Sequence, residues 1–150
     1  LVALLDYGSG NLHSATRAVD AAGCRAVLTA DPKVVRTADG LVVPGVGAFA
    51  ACMAGLAAVG GPALIRDRLD AGRPVLGICV GHQVLFAAGV EHGIRAAGVG
   101  VLPGVVERLT SRRLPHMGWN TVTPPADSEL FRIGTVSFTS FSDHAKERTT

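Results

Sequence analysis

Apolar residues along this chain fall into short solid runs broken by glycine-rich turns, and the stretches between them carry apolar positions at helical spacing. Residues 1–5 are wholly apolar and predict a buried strand, and residues 25–29, 41–43 and 75–78 predict three more. Residues 12–22, closed by Gly23, predict a helix, as do 50–59, broken by Gly60-Gly61-Pro62, and 63–71, closed by Gly72. Asp31-Pro32 predicts a turn or a short helix. Pro44-Gly45-Val46-Gly47 predicts the end of the third strand, and the spacing of Val84, Leu85 and Ala88 predicts a helix from His82 onward. Strands alternating with helices through short turns imply an α/β domain, a mostly parallel sheet flanked by helices, with function at the carboxyl ends of the strands. No repeat and no linker divides residues 1–150, so a single domain is expected.

Composition narrows the class. Hydrophobic residues make up 48% and charged residues 17% of the 150, which fits one soluble globular core. A formal charge of +2 is too small to call for a nucleic-acid or membrane partner, and Arg108, Arg112 and Arg113 read as a solvated face. Three cysteines without a C-x-x-C pair fit a reducing cytoplasm and neither a disulfide framework nor a zinc site, so no metal and no cofactor is expected. Cys24 and Cys52 lie in apolar surroundings and are expected to be packing residues. The first strand has no basic flank and no small-residue cleavage site, so neither a signal peptide nor a membrane span is expected, although Leu1 is not methionine.

The candidate chemistry centres on Gly77-Ile78-Cys79-Val80-Gly81. A nucleophile between glycines at the junction of a strand and a helix is the pattern of a nucleophile elbow. Glycines two residues either side let strand and helix approach closely, and the turn lifts the sulfur out at the carboxyl end of the sheet, beside a helix amino terminus that favours an anion. The amide of Val80 would point at an oxyanion on an attacked carbonyl, and the loop of Gly45, Val46 and Gly47 could offer amides from a second side. By contrast, Gly8-Ser9-Gly10 is no dinucleotide site, because His13 stands where the third glycine of G-x-G-x-x-G belongs.

Gly77-Ile78-Cys79-Val80-Gly81-His82-Gln83 resembles the nucleophile motif of class I glutamine amidotransferases. Three further stretches, Asp6-Tyr7-Gly8-Ser9-Gly10-Asn11, Pro44-Gly45-Val46-Gly47-Ala48-Phe49 and Pro115-His116-Met117-Gly118-Trp119-Asn120, together resemble the glutaminase subunits of imidazole glycerol phosphate synthase, of histidine biosynthesis, over residues 1–131 or so. The resemblance implies a flavodoxin-like fold and hydrolysis of glutamine to glutamate and ammonia, the ammonia passing to a barrel-shaped cyclase subunit. It implies that Cys79 is the nucleophile and forms a thioester, with Val80 and the loop of Gly45, Val46 and Gly47 as the oxyanion hole. Gln83 and Glu91 would hold the amino-acid end of glutamine, and Asn11 and Trp119 would lie toward the cyclase.

Two departures from the family stand out. His82 replaces the methionine usual in these glutaminases. A packed or partly exposed side chain is expected there, because the helix carries it to the flank and away from the sulfur. The family also completes its triad with a downstream His-Pro-Glu, and this chain has none: residues 132–150 diverge, with Ser140 where the histidine of the matching strand would stand and His144 in a polar tail. The expected reading is a glutaminase subunit that lacks the C-terminal part of the family domain, truncated or frame-disrupted beyond Phe131. Two alternatives remain, a catalytically silent cyclase-binding subunit and another cysteine enzyme of this fold whose base is His13, His92, His116 or His144.

Overall fold

The computed structural model describes residues 1–109, Asp127 and the backbone of two strands at 116–122 and 136–142. The divergent tail is therefore seen only at 136–142, and His144 and Phe131 lie outside the described residues.

The apolar runs become strands β1 (Val2–Leu5), β2 (Ala26–Thr29), β3 (Gly40–Gly45) and β4 (Val75–Cys79). They form one parallel sheet in the order β2-β1-β3-β4. Helices α1 (Leu12–Ala21), α2 (Pro32–Thr37), α3 (Phe49–Ala58) and α4 (Gly61–Asp70) lie in the crossovers, as parallel neighbours require. Asp31 resolves the turn-or-helix alternative, since its carboxylate caps α2 by accepting from the Lys33 N–H at 2.8 Å with Pro32 in the first turn. Strand order reverses at β1, so the turns after β1 and β3 face one crevice at the carboxyl ends, with the end of β4 beside it.

Two expectations need correction. Pro44 and Gly45 do not end the third strand but extend it, pairing with Ile78 and Cys79. Proline is tolerated because its backbone faces the β1 side, where pairing has already stopped at Leu4↔Val42; there the Pro44 carbonyl accepts the Tyr7 hydroxyl instead. The helix after the elbow is a single turn, α5 (Val80–Gln83), and its successor is a strand, β5 (Phe86–Glu91). Val84, Leu85, Phe86 and Ala88 are all buried, and an apolar run without a polar face suits a strand covered on both sides as well as a buried helix. Close approach decides it: a Cβ on Gly89 would stand 2.4–2.6 Å from three carbons of the Phe49 ring, so only bare backbone passes there. β5 pairs with β6 (Ile94–Ala97) in an antiparallel hairpin and with β7 (Leu102–Glu107) in parallel. His92 and Gly93, both at positive φ, form the two-residue hairpin turn.

The core of this unit, Leu1–Glu107, joins Ala3, Leu5 and Val43 of the sheet to Phe49, Cys52 and Leu56 of α3, Leu64 and Ile65 of α4, and Val80 and Val84 around α5. Arg68 is buried in it and donates to the carbonyls of Val35, at 2.6 Å, and Ala38, at 2.9 Å, so one guanidinium closes the end of α2. Cys24 is exposed, contrary to its expected packing role, whereas Cys52 is buried. A second compact unit, Arg108–Lys146, contains β8 (His116–Val122) and β9 (Val136–Ser142), an antiparallel pair in which Trp119 stands opposite Thr139. No single helix among the described residues is long and apolar enough to cross a membrane.

Candidate active site

Cys79 ends β4 and stands at the N-cap of α5 with φ 57° and ψ −122°, a backbone conformation that L-residues avoid. Such strain persists only where the surroundings enforce it, and here glycines do so. A Cβ on Gly77 would stand 2.5 Å from the His82 Cα, and one on Gly81 would strike the Val43 carbonyl. A Cβ on Gly45 would strike the Gly81 nitrogen, so β3, β4 and α5 meet through three bare backbones. The turn leaves the Cys79 thiol exposed at the carboxyl edge of the sheet, as an elbow requires.

Val80 is the first residue of α5, so its N–H is one of the helix-start donors that no carbonyl within the helix accepts. Across the sheet Gly45 pairs with Cys79, which brings the loop of Gly45, Val46 and Gly47 against the elbow. The three loop residues are not equivalent. The Val46 N–H donates to the Ser9 hydroxyl at 3.0 Å, so that amide is occupied by a side chain and is not offered to a ligand in this structure. Gly47 is exposed at φ 85°, and its N–H has no hydrogen-bond partner among the described residues.

Gln83 ends α5 and is half-buried. Glu91 ends β5, is 8% exposed, and accepts the Phe49 N–H at 2.8 Å, so its charge sits at the start of α3 where the helix dipole favours it. Asn11 caps α1, accepting the Ser14 N–H at 3.2 Å, and is exposed. Trp119 is placed on β8 by its backbone. His82 is exposed on the flank of α5 with its ring edge-on to Phe86 at 5.3 Å, and so points along the helix side as its position predicts.

His13 is exposed on α1 and His92 occupies the hairpin turn; among the described residues no histidine is hydrogen-bonded to Cys79. The side chains of His116 and His144 lie outside the described residues. An apolar cavity of about 590 Å³ is lined by Leu69, Val75, Leu76, Leu85 and Leu102, with His82 at its wall; Cys79 does not line it.

Sequence reasoning did not single out Tyr7. Its ring is buried under the loop, and burial, with a smaller contribution from Cys52, pushes its phenol well above the ordinary value. The signal was present only in three dimensions, since its partner Pro44 is 37 residues away.

Residues 3–149 match the family described as glutamine amidotransferase class-I. The chain is 66% identical over 130 residues to an imidazole glycerol phosphate synthase subunit HisH from Nocardia farcinica, a match covering 87% of this chain and 62% of that protein. It is 56% identical over 131 residues to the subunit of the same name from Cutibacterium acnes, covering 87% of this chain and 64% of the relative. The chain thus spans under two thirds of the length of these curated relatives. A crystal structure of a glutamine amidotransferase superposes with a TM-score of 0.65 at 22% identity, covering 80% of this chain and 62% of that one, and supports the fold. With the elbow in place and the match extending over nearly every residue, the chain belongs to the class I glutamine amidotransferases.

Proposed function

We propose that this chain is a glutaminase that works with the cyclase subunit of imidazole glycerol phosphate synthase in histidine biosynthesis. The observation that carries the reading is the strained, glycine-cradled and exposed Cys79 at the carboxyl edge of the sheet. The thiol would attack the side-chain amide carbonyl of glutamine, ammonia would leave from the tetrahedral intermediate, and water would hydrolyse the thioester to glutamate. The Val80 amide and the Gly45 to Gly47 loop would stabilise the oxyanion. Gln83 and Glu91 would hold the amino-acid end, and Asn11 and Trp119 would face a barrel-shaped cyclase that receives the ammonia. The names of the relatives support the pathway and the two-subunit arrangement, and all of these residues would act within one amidotransferase-like domain.

The test is glutamate production from glutamine by the purified chain, alone and with the cyclase subunit and its nucleotide ligand, with Cys79→Ala as the blank. Turnover above the blank supports the reading. Cyclase binding with no turnover would replace it by a silent binding subunit.

A further inference from the structure

The Tyr7 side chain is a buried polar group that the chemistry above does not use, and its contacts place it beside the nucleophile turn. Its backbone and ring pack on α3, where a Cβ on Gly55 would stand 2.5 Å from the Tyr7 carbonyl oxygen and 3.3 Å from a ring carbon. Its hydroxyl donates to the Pro44 carbonyl at the level where β1 has stopped pairing with β3. The same hydroxyl lies 2.9 Å from the point that a Gly45 Cβ would occupy. The Val80 carbonyl carbon, at 2.9 Å, and the Gly81 nitrogen, at 2.4 Å, converge on that point too. The phenol tip and the Val80–Gly81 peptide therefore meet across bare glycine, one residue past Cys79.

This is where the strain of the elbow has to be held. Cys79 stays at φ 57° because the backbones around it enforce that conformation. On the β3 side the enforcing contacts are the Pro44↔Ile78 and Gly45↔Cys79 pairs. Pro44 has no N–H to give, and on the side where β1 has ended its carbonyl is held by the Tyr7 hydroxyl. Burial above all, then the Cys52 thiol and more weakly that of Cys79, push the phenol up, so the hydroxyl keeps its proton and remains a donor. We infer that Tyr7 is a positioning residue for the nucleophile, its hydroxyl tying the end of β3 against the start of α5 so that Cys79 keeps the strained turn from which it attacks glutamine; the inference rests on the glutaminase reading.

The experiment compares three full-length variants. Tyr7→Phe removes the hydroxyl, 4-aminophenylalanine in place of Tyr7 restores a donor there, and Val35→Ala destabilises the core away from the elbow. Two quantities are read: kcat and KM for glutamate production with the cyclase subunit, and the Cys79 Cα chemical shift by NMR, which reports its φ. Tyr7→Phe should lower kcat about tenfold with KM within about twofold, and should move the Cys79 shift. The amino variant should return kcat to within about threefold of wild type and the shift to its wild-type position. Val35→Ala should leave both at wild-type values despite its lower melting temperature. Unchanged kcat in Tyr7→Phe, a loss carried by KM, no recovery with the amine, or an equal loss of kcat in Val35→Ala would overturn the inference.

If wild type makes no more glutamate than Cys79→Ala, the glutaminase reading fails by itself. The role of Tyr7 is then judged on the Cys79 shift alone. A shift that moves in Tyr7→Phe and returns with the amine supports it, and one that stays in place overturns it.

Discussion

Replacing Gly81 by alanine tests the close approach on which the elbow depends. The added Cβ would strike the Val43 carbonyl oxygen and lie 2.7 Å from its carbon and 2.9 Å from the Pro44 carbonyl carbon, where ordinary contact begins near 3.4 Å. All three obstacles are backbone of β3, so no side chain can swing aside, and β3 must part from α5. That movement strains the Pro44↔Ile78 and Gly45↔Cys79 pairs, which hold the loop to the nucleophile. Overpacking of this kind costs about 1–3 kcal/mol, and disrupting two ladder bonds about 1 kcal/mol each, so a loss of roughly 3–5 kcal/mol is expected. Gly47→Ala is the matched control: nothing lies within 4 Å of its Cβ, and only its positive φ resists the change. That costs about 1–2 kcal/mol. In a domain of this size each kcal/mol moves the melting temperature by roughly 2–4 °C, so Gly81→Ala should melt about 10 °C below wild type, and well below Gly47→Ala. Urea unfolding followed by circular dichroism measures both losses at one temperature. A Gly81→Ala protein no less stable than Gly47→Ala would refute the packing argument for the elbow.

Three further outcomes follow from the same contacts. Arg68→Met should destabilise the fold by about 2–4 kcal/mol in urea titration, because the carbonyls of Val35 and Ala38 lose their buried donor. Tyr7 holds its proton in the folded state to higher pH than in the unfolded chain, where it ionises near 10. The unfolded state then binds fewer protons above about pH 10, so stability is full below that value and falls as pH rises beyond it. Tyr7→Phe should flatten this alkaline loss in a series of melts, and an unaltered slope would assign it to other groups. Glu91→Gln separates a structural from a substrate role: the amide oxygen can still accept the Phe49 N–H, so stability should hold to within about 1 kcal/mol. If the charge faces an ammonium, KM for glutamine should rise by roughly ten- to a hundredfold. An unchanged KM would leave Glu91 as a cap for α3 alone.

The elbow was legible in sequence because its requirements are local. Two glycines, a cysteine between them and an apolar run before them determine the turn within five residues. The four sheet strands were legible as short unbroken apolar runs, although burial on both faces holds for β1 and β3 and not for β2 and β4, where Leu28, Leu76 and Ile78 are each 43% exposed. The strand Phe86–Glu91 was not, because a run without a polar face fits a buried helix equally well, and the deciding contact of Gly89 with Phe49 spans forty residues of chain. Pro44 was read as a strand breaker because proline removes a donor, and the sequence does not show that the neighbouring strand has already ended there. Ser9, Cys52 and Tyr7 were invisible as a group, since Tyr7 and Ser9 in the turn after β1 bond to Pro44, Val46 and Cys52, 37 to 43 residues further along the chain. Glu91 was assigned through family resemblance to a ligand, and its hydrogen bond to the start of α3 could be seen only once β5 was placed.

The central claim is that Cys79 is a nucleophile toward glutamine. It is tested most directly by mixing the chain and the cyclase subunit with glutamine, quenching in acid, and mapping the peptides by mass spectrometry. The account predicts a glutamyl thioester on the peptide that carries Cys79, absent from Cys79→Ser and discharged by hydroxylamine. A glutamyl group on another residue, or none on Cys79 while glutamate still accumulates, would contradict it.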